Sequence, residues 1–581
     1  MSMRSGTTRV RVPIAVMVIS TLVLLAGIVI TLVGSYQIGS TWDEKTNMQS
    51  LQVFFDQGWN ITADALIDGQ PNPDYIWGIY VYGPVSLLFT HALSTLAGAE
   101  SWGQISFSSE AYAIRHVGGA LIGLLGVLAG SFIVRVITGS WRWAVLAGAV
   151  LLSIPMWTGH SMMNIKDGPV GTGYTVATLG LVLIMRQDYF QRRSVRLLGL
   201  FGLFSGAFLA AGTRAASGIP IAGSAVFAAL LWWLVMRRDA GAGDGRAFRL
   251  ALRRLVESGL ALTATYLALV ALYPNVWQNP FTLAYQAGVV SARFPFAEPI
   301  MFAGSWVDQP VPWTYLPGWF LAQLPLLVSV AGIGFFVWWL IQVFRGVSGR
   351  SLAQRSVVLQ SAPVLLQILL LPIVAILVQT TMYNAVRQFL FVVPAAGVAA
   401  TLGVWVFLRW LRRRQSAPAW FIAAWSLVSI GVLVPTVAQA LLYPYTYVYY
   451  NAAAALRPID GNWPTDYWRA SSNELMRKIP ADGPESCAYE QTRKGEFMPC
   501  SNEPMFEPYL NERGAQAQPG ELSEGQYWLV RENQGRTTVP EGCVVHDSIT
   551  RPLFWQTITI GQIFQCDSDA VIPPNGDLPI N

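Results

Sequence analysis

Charge is what this chain has least of. Only 12% of its 581 residues are Asp, Glu, Lys or Arg, about half the roughly 25% of an ordinary soluble protein. With 53% hydrophobic residues, that scarcity excludes a soluble globular fold and indicates a polytopic membrane protein. The net charge of +5 does not indicate nucleic acid, because the arginines gather in short loops between apolar runs, as membrane topology requires. Cysteine is equally sparse. The four cysteines, Cys487, Cys500, Cys543 and Cys566, all lie in the polar tail, which the topology below places outside the cytoplasm, where disulfides persist. Sequential pairing, Cys487 with Cys500 and Cys543 with Cys566, is favoured among three connectivities. A zinc site is the alternative, weakened by the lack of a C-x-x-C and by His546 being the one histidine nearby. No small-residue cleavage pattern follows the first apolar run, so it is expected to stay as the first span and not to be a cleaved signal. No internal repeat is visible, which counts against the duplicated architectures of many transporters.

What is present is a series of apolar runs near residues 14–34, 113–137, 142–158, 168–186, 197–213, 217–236, 257–273, 322–344, 360–380, 388–410 and 419–441, about eleven spans by length. The N-terminal flank carries Arg4, Arg9 and Arg11 and is expected in the cytoplasm. Alternating spans then bring every arginine cluster to that same side: Arg135 and Arg142, Arg186 to Arg196, Arg237 to Arg254, Arg345 to Arg355, and Arg409 to Arg414. The opposite side receives loops 35–112, 159–168 and 273–321, rich in Trp, Tyr, Pro and Asp. Within the first of these, Tyr82-Gly83-Pro84 precedes an apolar stretch from Val85 to Ala97 that is too short to span comfortably. It reads as an amphipathic or re-entrant helix on the outer surface, since a true span there would invert all that follows. From residue 442 the chain turns polar, and 526–530 and 554–560 read as strands of a small domain.

Four polar clusters fall where spans meet the outer surface. Asp43-Glu44 follows the first span, where a carboxylate can serve as general base on a membrane-bound substrate. His160, Asn164, Lys166 and Asp167 share one short loop, and Arg214 and Arg387 are cations on the side that the positive-inside bias disfavours. Two guanidinium forks at that depth suit a phosphate, with Lys166 adding a point charge. The competing reading of each arginine is a snorkelling surface residue.

These motifs are similar to glycosyltransferases of the GT-C superfamily. They are Asp-Glu after the first span, the His160-x-x-x-Asn164-x-Lys166-Asp167 loop, and Arg387-Gln388-Phe389-Leu390-Phe391-Val392-Val393-Pro394 opening a late span. More narrowly, the chain resembles bacterial members of glycosyltransferase family 39, related to protein mannosyltransferases and the lipid A aminoarabinose transferase. Further similar segments are Tyr273 to Pro280, Pro312 to Pro317 and Tyr443 to Asn451. The likeness covers roughly residues 10–475, and the order and placement of its motifs carry it more than any one motif.

The resemblance implies a GT-C-like helical membrane domain over 1–441, with a small α/β or mainly β extracytoplasmic domain over 442–581. It implies inverting transfer of a sugar from a polyprenyl-phosphate donor to an acceptor hydroxyl on the extracytoplasmic face of the plasma membrane. Asp43 would be the base, with Glu44 a supporting neighbour. Arg387, Arg214 and Lys166 would hold the donor phosphate, and Asp167, His160 and Asn164 would assist with substrate or metal. The acceptor is a glycan, a lipid or a protein. The His-Pro-Pro-Leu-Gly-Lys type motif of protein mannosyltransferases is absent, and no D-x-D stands in the first loop, so metal is not expected to be obligatory, although a divalent ion is compatible with the family. Asn60-Ile61-Thr62 matches a glycosylation sequon. The rival class is a transporter or lipid flippase, which would place ionisable residues near mid-bilayer.

Overall fold

The structure is a computed structural model. It describes residues 10–57, 66–67, 70–71, 83–237, 244–272, 281, 296, 299–344, 352–480, 487–491, 496–500, 526–533, 535 and 537–567. The expectations falling on Arg4, Arg9, Asn60 to Thr62, Tyr82 and Tyr273 to Pro280 lie outside these residues.

The first helix, α1 (Ile14–Gln37), turns Ile14, Val18, Leu22, Leu25 and Val29 outward, an apolar stripe suited to lipid. Its other face is built for close contact. A Cβ at Gly27 would stand 2.6 Å from Leu152 Cβ, and one at Gly34 would stand 2.7 Å from the Met162 sulfur. Those partners belong to α5 (Trp141–Leu152) and α6 (Pro155–Met163), a pair bent by 69°. Pro155 opens α6, where its missing N–H costs nothing.

After α1 come α2 (Glu44–Gln57), a two-residue hairpin pair β1 (Leu66–Ile67) and β2 (Gln70–Pro71), α3 (Val85–Leu96) and α4 (Ser109–Thr138). Helix α3, with 12 residues, is shorter than the helices long enough to cross a membrane. His116 of α4 pairs with Glu44 at the start of α2, and Ser86 of α3 donates to the Ile165 carbonyl just before α7 (Asp167–Ile184). Both ends of the loop therefore lie at one end of the bundle.

Among the described residues nine helices are long and apolar enough to cross a membrane, or ten with the bent pair counted as one, against an expectation of about eleven. The difference is α7, whose 18 residues reach about 27 Å. It carries Gly and Thr because it faces helices and not lipid. A Cβ at Gly180 would lie 2.4 Å from the Leu203 amide, and one at Gly206 would lie 2.2 Å from that of Ala177. These contacts lock α7 to α8 (Arg193–Thr213), the small-residue packing that replaces a hydrophobic drive inside a bilayer. At the far end, Arg254 of α10 (Asp244–Leu272) donates to the carbonyls of Ile184 and Arg186.

The remaining bundle comprises α9 (Gly218–Met236), α11 (Tyr315–Gln323), α12 (Leu326–Phe344), α13 (Leu352–Leu377), α14 (Val392–Arg413) and α15 (Pro418–Leu442). The short hairpin β3 (Ile300–Phe302) and β4 (Ser305–Val307) precedes α11. Of the spanning helices α14 is the most enclosed.

The C-terminal domain holds α16 (Ser472–Lys478) and a five-stranded sheet of β5 (Cys487–Gln491), β6 (Glu496–Pro499), β7 (Tyr527–Glu532), β8 (Cys543–Leu553) and β9 (Gln556–Cys566). The order is β6-β5-β7-β9-β8, antiparallel except for β5 beside β7. The strand expected over 554–560 begins two residues late. Phe554 and Trp555 make the β8–β9 turn, with Phe554 at φ +55°. Disulfides join Cys487 to Cys500 and Cys543 to Cys566, which takes up all four sulfurs and removes the zinc alternative.

Candidate active site

The site forms where four segments meet at one end of the bundle: the turn after α1, the loop between α6 and α7, the approach to α14, and residues 465–469 leading to the C-terminal domain. At the first of these, the two adjacent carboxylates separate completely. Glu44 is buried, and one of its oxygens accepts from the Thr41 amide at 3.1 Å and the Thr41 hydroxyl at 2.8 Å. Its other oxygen meets His116 Nε2 at 2.9 Å. These bonds tie the first residue of α2 back to Thr41 and across to α4, so Glu44 braces the turn.

Asp43 points into the site with 30% of its side chain exposed. Its Oδ2 accepts from Arg387 Nη1 at 2.7 Å and from Lys166 Nζ at 2.8 Å, both cations being more than nine-tenths buried. Burial alone would raise the Asp43 pKa, but the paired Lys166 and Arg387 charges overcome it and hold the carboxyl well below the usual range. Arg387 reaches this position from a tight turn in which Asn384 and Ala385 take φ values of +54° and +59°. Two successive left-handed residues without glycine are costly. The guanidinium also packs on two rings, 4.9 Å from the centroid of Tyr383 and 4.5 Å from that of Trp468.

Arg214, grouped with Arg387 in the sequence, pairs with a different carboxylate. Its Nη1 lies 3.3 Å from Asp167 Oδ1, because α7 begins where α8 ends. Asn164 organises that corner. Its Oδ1 accepts from the Asp167 amide at 2.8 Å and its Nδ2 donates to Asp167 Oδ2 at 3.1 Å. The same amide group lies 3.3 Å from His160 Nδ1, which leaves the ring proton on Nε2, 3.0 Å from the Tyr467 hydroxyl. Lys166 and Asp167 are neighbours in the chain, so the Asp43 and Asp167 centres are joined by one peptide bond.

The residues that sequence reasoning passed over are Tyr467, Trp468 and Arg469. Arg469 is fully buried, lies 3.3 Å over the Trp42 ring, and pairs with Glu532 of β7 at 3.1 Å. The one available signal was the aromatic and charged run Asp466-Tyr467-Trp468-Arg469, which in a polar tail looks like ordinary domain core.

Among the described residues no group of three or more His, Cys, Asp or Glu side chains could hold a metal. The donor set fits a cation poorly, since Asp43 and Asp167 are each already paired with positive side chains.

No protein-family model matches the chain, and no curated protein matches it. Among solved structures it is similar to ArnT from Cupriavidus metallidurans bound to undecaprenyl phosphate, at 13% identity over 95% of this chain and 99% of that one, with a TM-score of 0.45. It is also similar to the archaeal oligosaccharyltransferase AglB from Archaeoglobus fulgidus, in complex with an inhibitory peptide and a dolichol-phosphate. That match has 12% identity over 80% of this chain and 58% of that one, with a TM-score of 0.48. Neither likeness is close.

Proposed function

We propose that the chain is a membrane glycosyltransferase of the GT-C kind, which transfers a sugar with inversion from a polyprenyl-phosphate donor to an acceptor hydroxyl. The observation that carries this reading is Asp43, a part-exposed carboxylate just beyond the end of a span, with one buried guanidinium and one buried ammonium on a single oxygen. Those two cations suit a phosphate, and Asp43 suits a hydroxyl. The loops holding the site face the extracytoplasmic side, with the N-terminus in the cytoplasm, as the arginine clusters favour.

In the reaction the donor phosphate takes Arg387 and Lys166 from Asp43. The freed carboxylate accepts the acceptor proton as oxygen attacks the anomeric carbon. The bond from that carbon to the phosphate oxygen breaks on the opposite face, and the two cations stabilise the charge developing on the departing polyprenyl phosphate. Asp167, held by Asn164 and Arg214, lies one residue from Lys166 and shapes the sugar side of the site. No divalent metal is needed in this scheme, and transfer is expected to persist in a chelator.

The test is Asp43→Asn in a reconstituted assay with labelled polyprenyl-phosphate sugars. Transfer should fall by about 10²- to 10⁴-fold, the range of a lost general base, while the folded protein and donor binding survive. Undiminished transfer would remove Asp43 from the mechanism. Donor translocation without transfer would favour a flippase.

A further inference from the structure

We propose that Trp468, supplied by the segment leading into the C-terminal domain, is a positioning residue that holds the Arg387 guanidinium for the donor phosphate. This rests on the polyprenyl-phosphate reading above. Arg387 has its guanidinium carbon 4.5 Å from the Trp468 ring centroid, and the indole is almost wholly buried. A long side chain kept against an aromatic face loses little freedom when a ligand arrives, and the cation is favoured there by the ring quadrupole.

Trp468 is itself fixed from behind. The Asp466 carboxylate accepts from the backbone amides of Trp468 at 3.2 Å, Ala470 at 3.3 Å and Ser471 at 3.0 Å. Arg469, at φ +60°, turns the chain so that its guanidinium stacks on Trp42, the neighbour of Asp43, while Tyr467 reaches His160. Three consecutive residues thus touch three components of the site. The Thr465 and Asp466 amides donate to the Asn533 carbonyl at the end of β7, at 2.8 and 3.0 Å, so the sheet domain sets their position. Among the described residues the buried indole Nε1 has no hydrogen-bond partner, so the contact that Trp468 makes here with Arg387 is through the ring face.

The experiment measures binding of a radiolabelled polyprenyl monophosphate to the full-length, oxidised protein in detergent. Trp468→Leu should weaken binding about two- to thirty-fold, the worth of one desolvated cation–π contact. Trp468→Phe, which keeps a ring, should recover most of that loss. Because Trp468 acts through Arg387, the Trp468→Leu/Arg387→Ala double variant should bind no more weakly than Arg387→Ala alone. Unchanged binding in Trp468→Leu, an equal loss in Trp468→Phe, or full additivity with Arg387→Ala would each overturn the proposal. If Arg387→Ala itself binds the probe normally, the phosphate reading falls first. Should Trp468→Leu fail to fold, Trp468→Met, which keeps apolar bulk without a ring, carries the same cycle.

Discussion

On the glycosyltransferase reading proposed above, Asp43 carries two demands that conflict in the unliganded protein. A general base works best with a pKa near the working pH, yet Lys166 and Arg387 hold this carboxyl well below its usual range. The conflict is resolved if the donor phosphate draws both cations away, because the Asp43 pKa then rises only in the loaded enzyme. The pH profiles should show this. The acidic limb of kcat/KM, which reports the free enzyme, is expected at lower pH than the acidic limb of kcat, which reports the loaded one. Coincident limbs would mean that the cations stay on Asp43 throughout. At this scale the sequence revealed much: Asp43, Lys166 and Arg387 stand out as charges in a chain with few. It did not reveal that Glu44 would turn away to His116, or that Arg214 would pair with Asp167 while Arg387 pairs with Asp43. Those outcomes depend on which helix ends meet, and one residue's position along a span does not encode that.

At the scale of elements, the site depends on helix pairs that approach too closely for side chains between them. The α7–α8 contact brings Asp167 to Arg214 and leaves Lys166 facing Asp43. Gly180→Val would place a branched side chain where even a Cβ lies 2.4 Å from the Leu203 amide. The helices must part, at a cost of about 1–3 kcal/mol or more, and thermal unfolding in detergent should show a lowered midpoint with binding of the polyprenyl monophosphate probe weakened in parallel. A normal midpoint would mean that the helices tolerate separation. The same packing explains why α7, which the sequence offers as a span over 168–186, is absent from the helices apolar enough to cross a membrane. Hydropathy reports the face a helix offers to lipid, and α7 offers almost none. The outward stripe of α1 was legible for the converse reason. The bend between α5 and α6 follows from Pro155, but its angle depends on α1, whose glycines accept Leu152 and Met162.

For the whole molecule, the question is whether the C-terminal domain rides on the bundle or completes it. The Arg469–Glu532 pair is where this can be measured, because it joins β7 to the residue stacked on Trp42. Burial pushes the Glu532 carboxyl up to about 7, with nearby Asp466 adding to the rise while Arg469 and Ser472 oppose it. A carboxyl whose folded pKa is raised favours the folded state when protonated. Its contribution is therefore fully present below the ordinary carboxylate pKa near 4.5 and is lost as pH rises through about 7. The melting temperature of the full chain should decline between about pH 4.5 and pH 7 for this reason and level off above that, by an amount corresponding to about 3 kcal/mol. Glu532→Gln, which keeps the shape without the titration, should flatten that slope. If the domain completes the site, binding of the polyprenyl monophosphate probe should weaken over the same pH interval in the wild type and less in the variant. A melting slope that flattens while probe binding stays unchanged in both would mean that the domain folds on the bundle without shaping its active end.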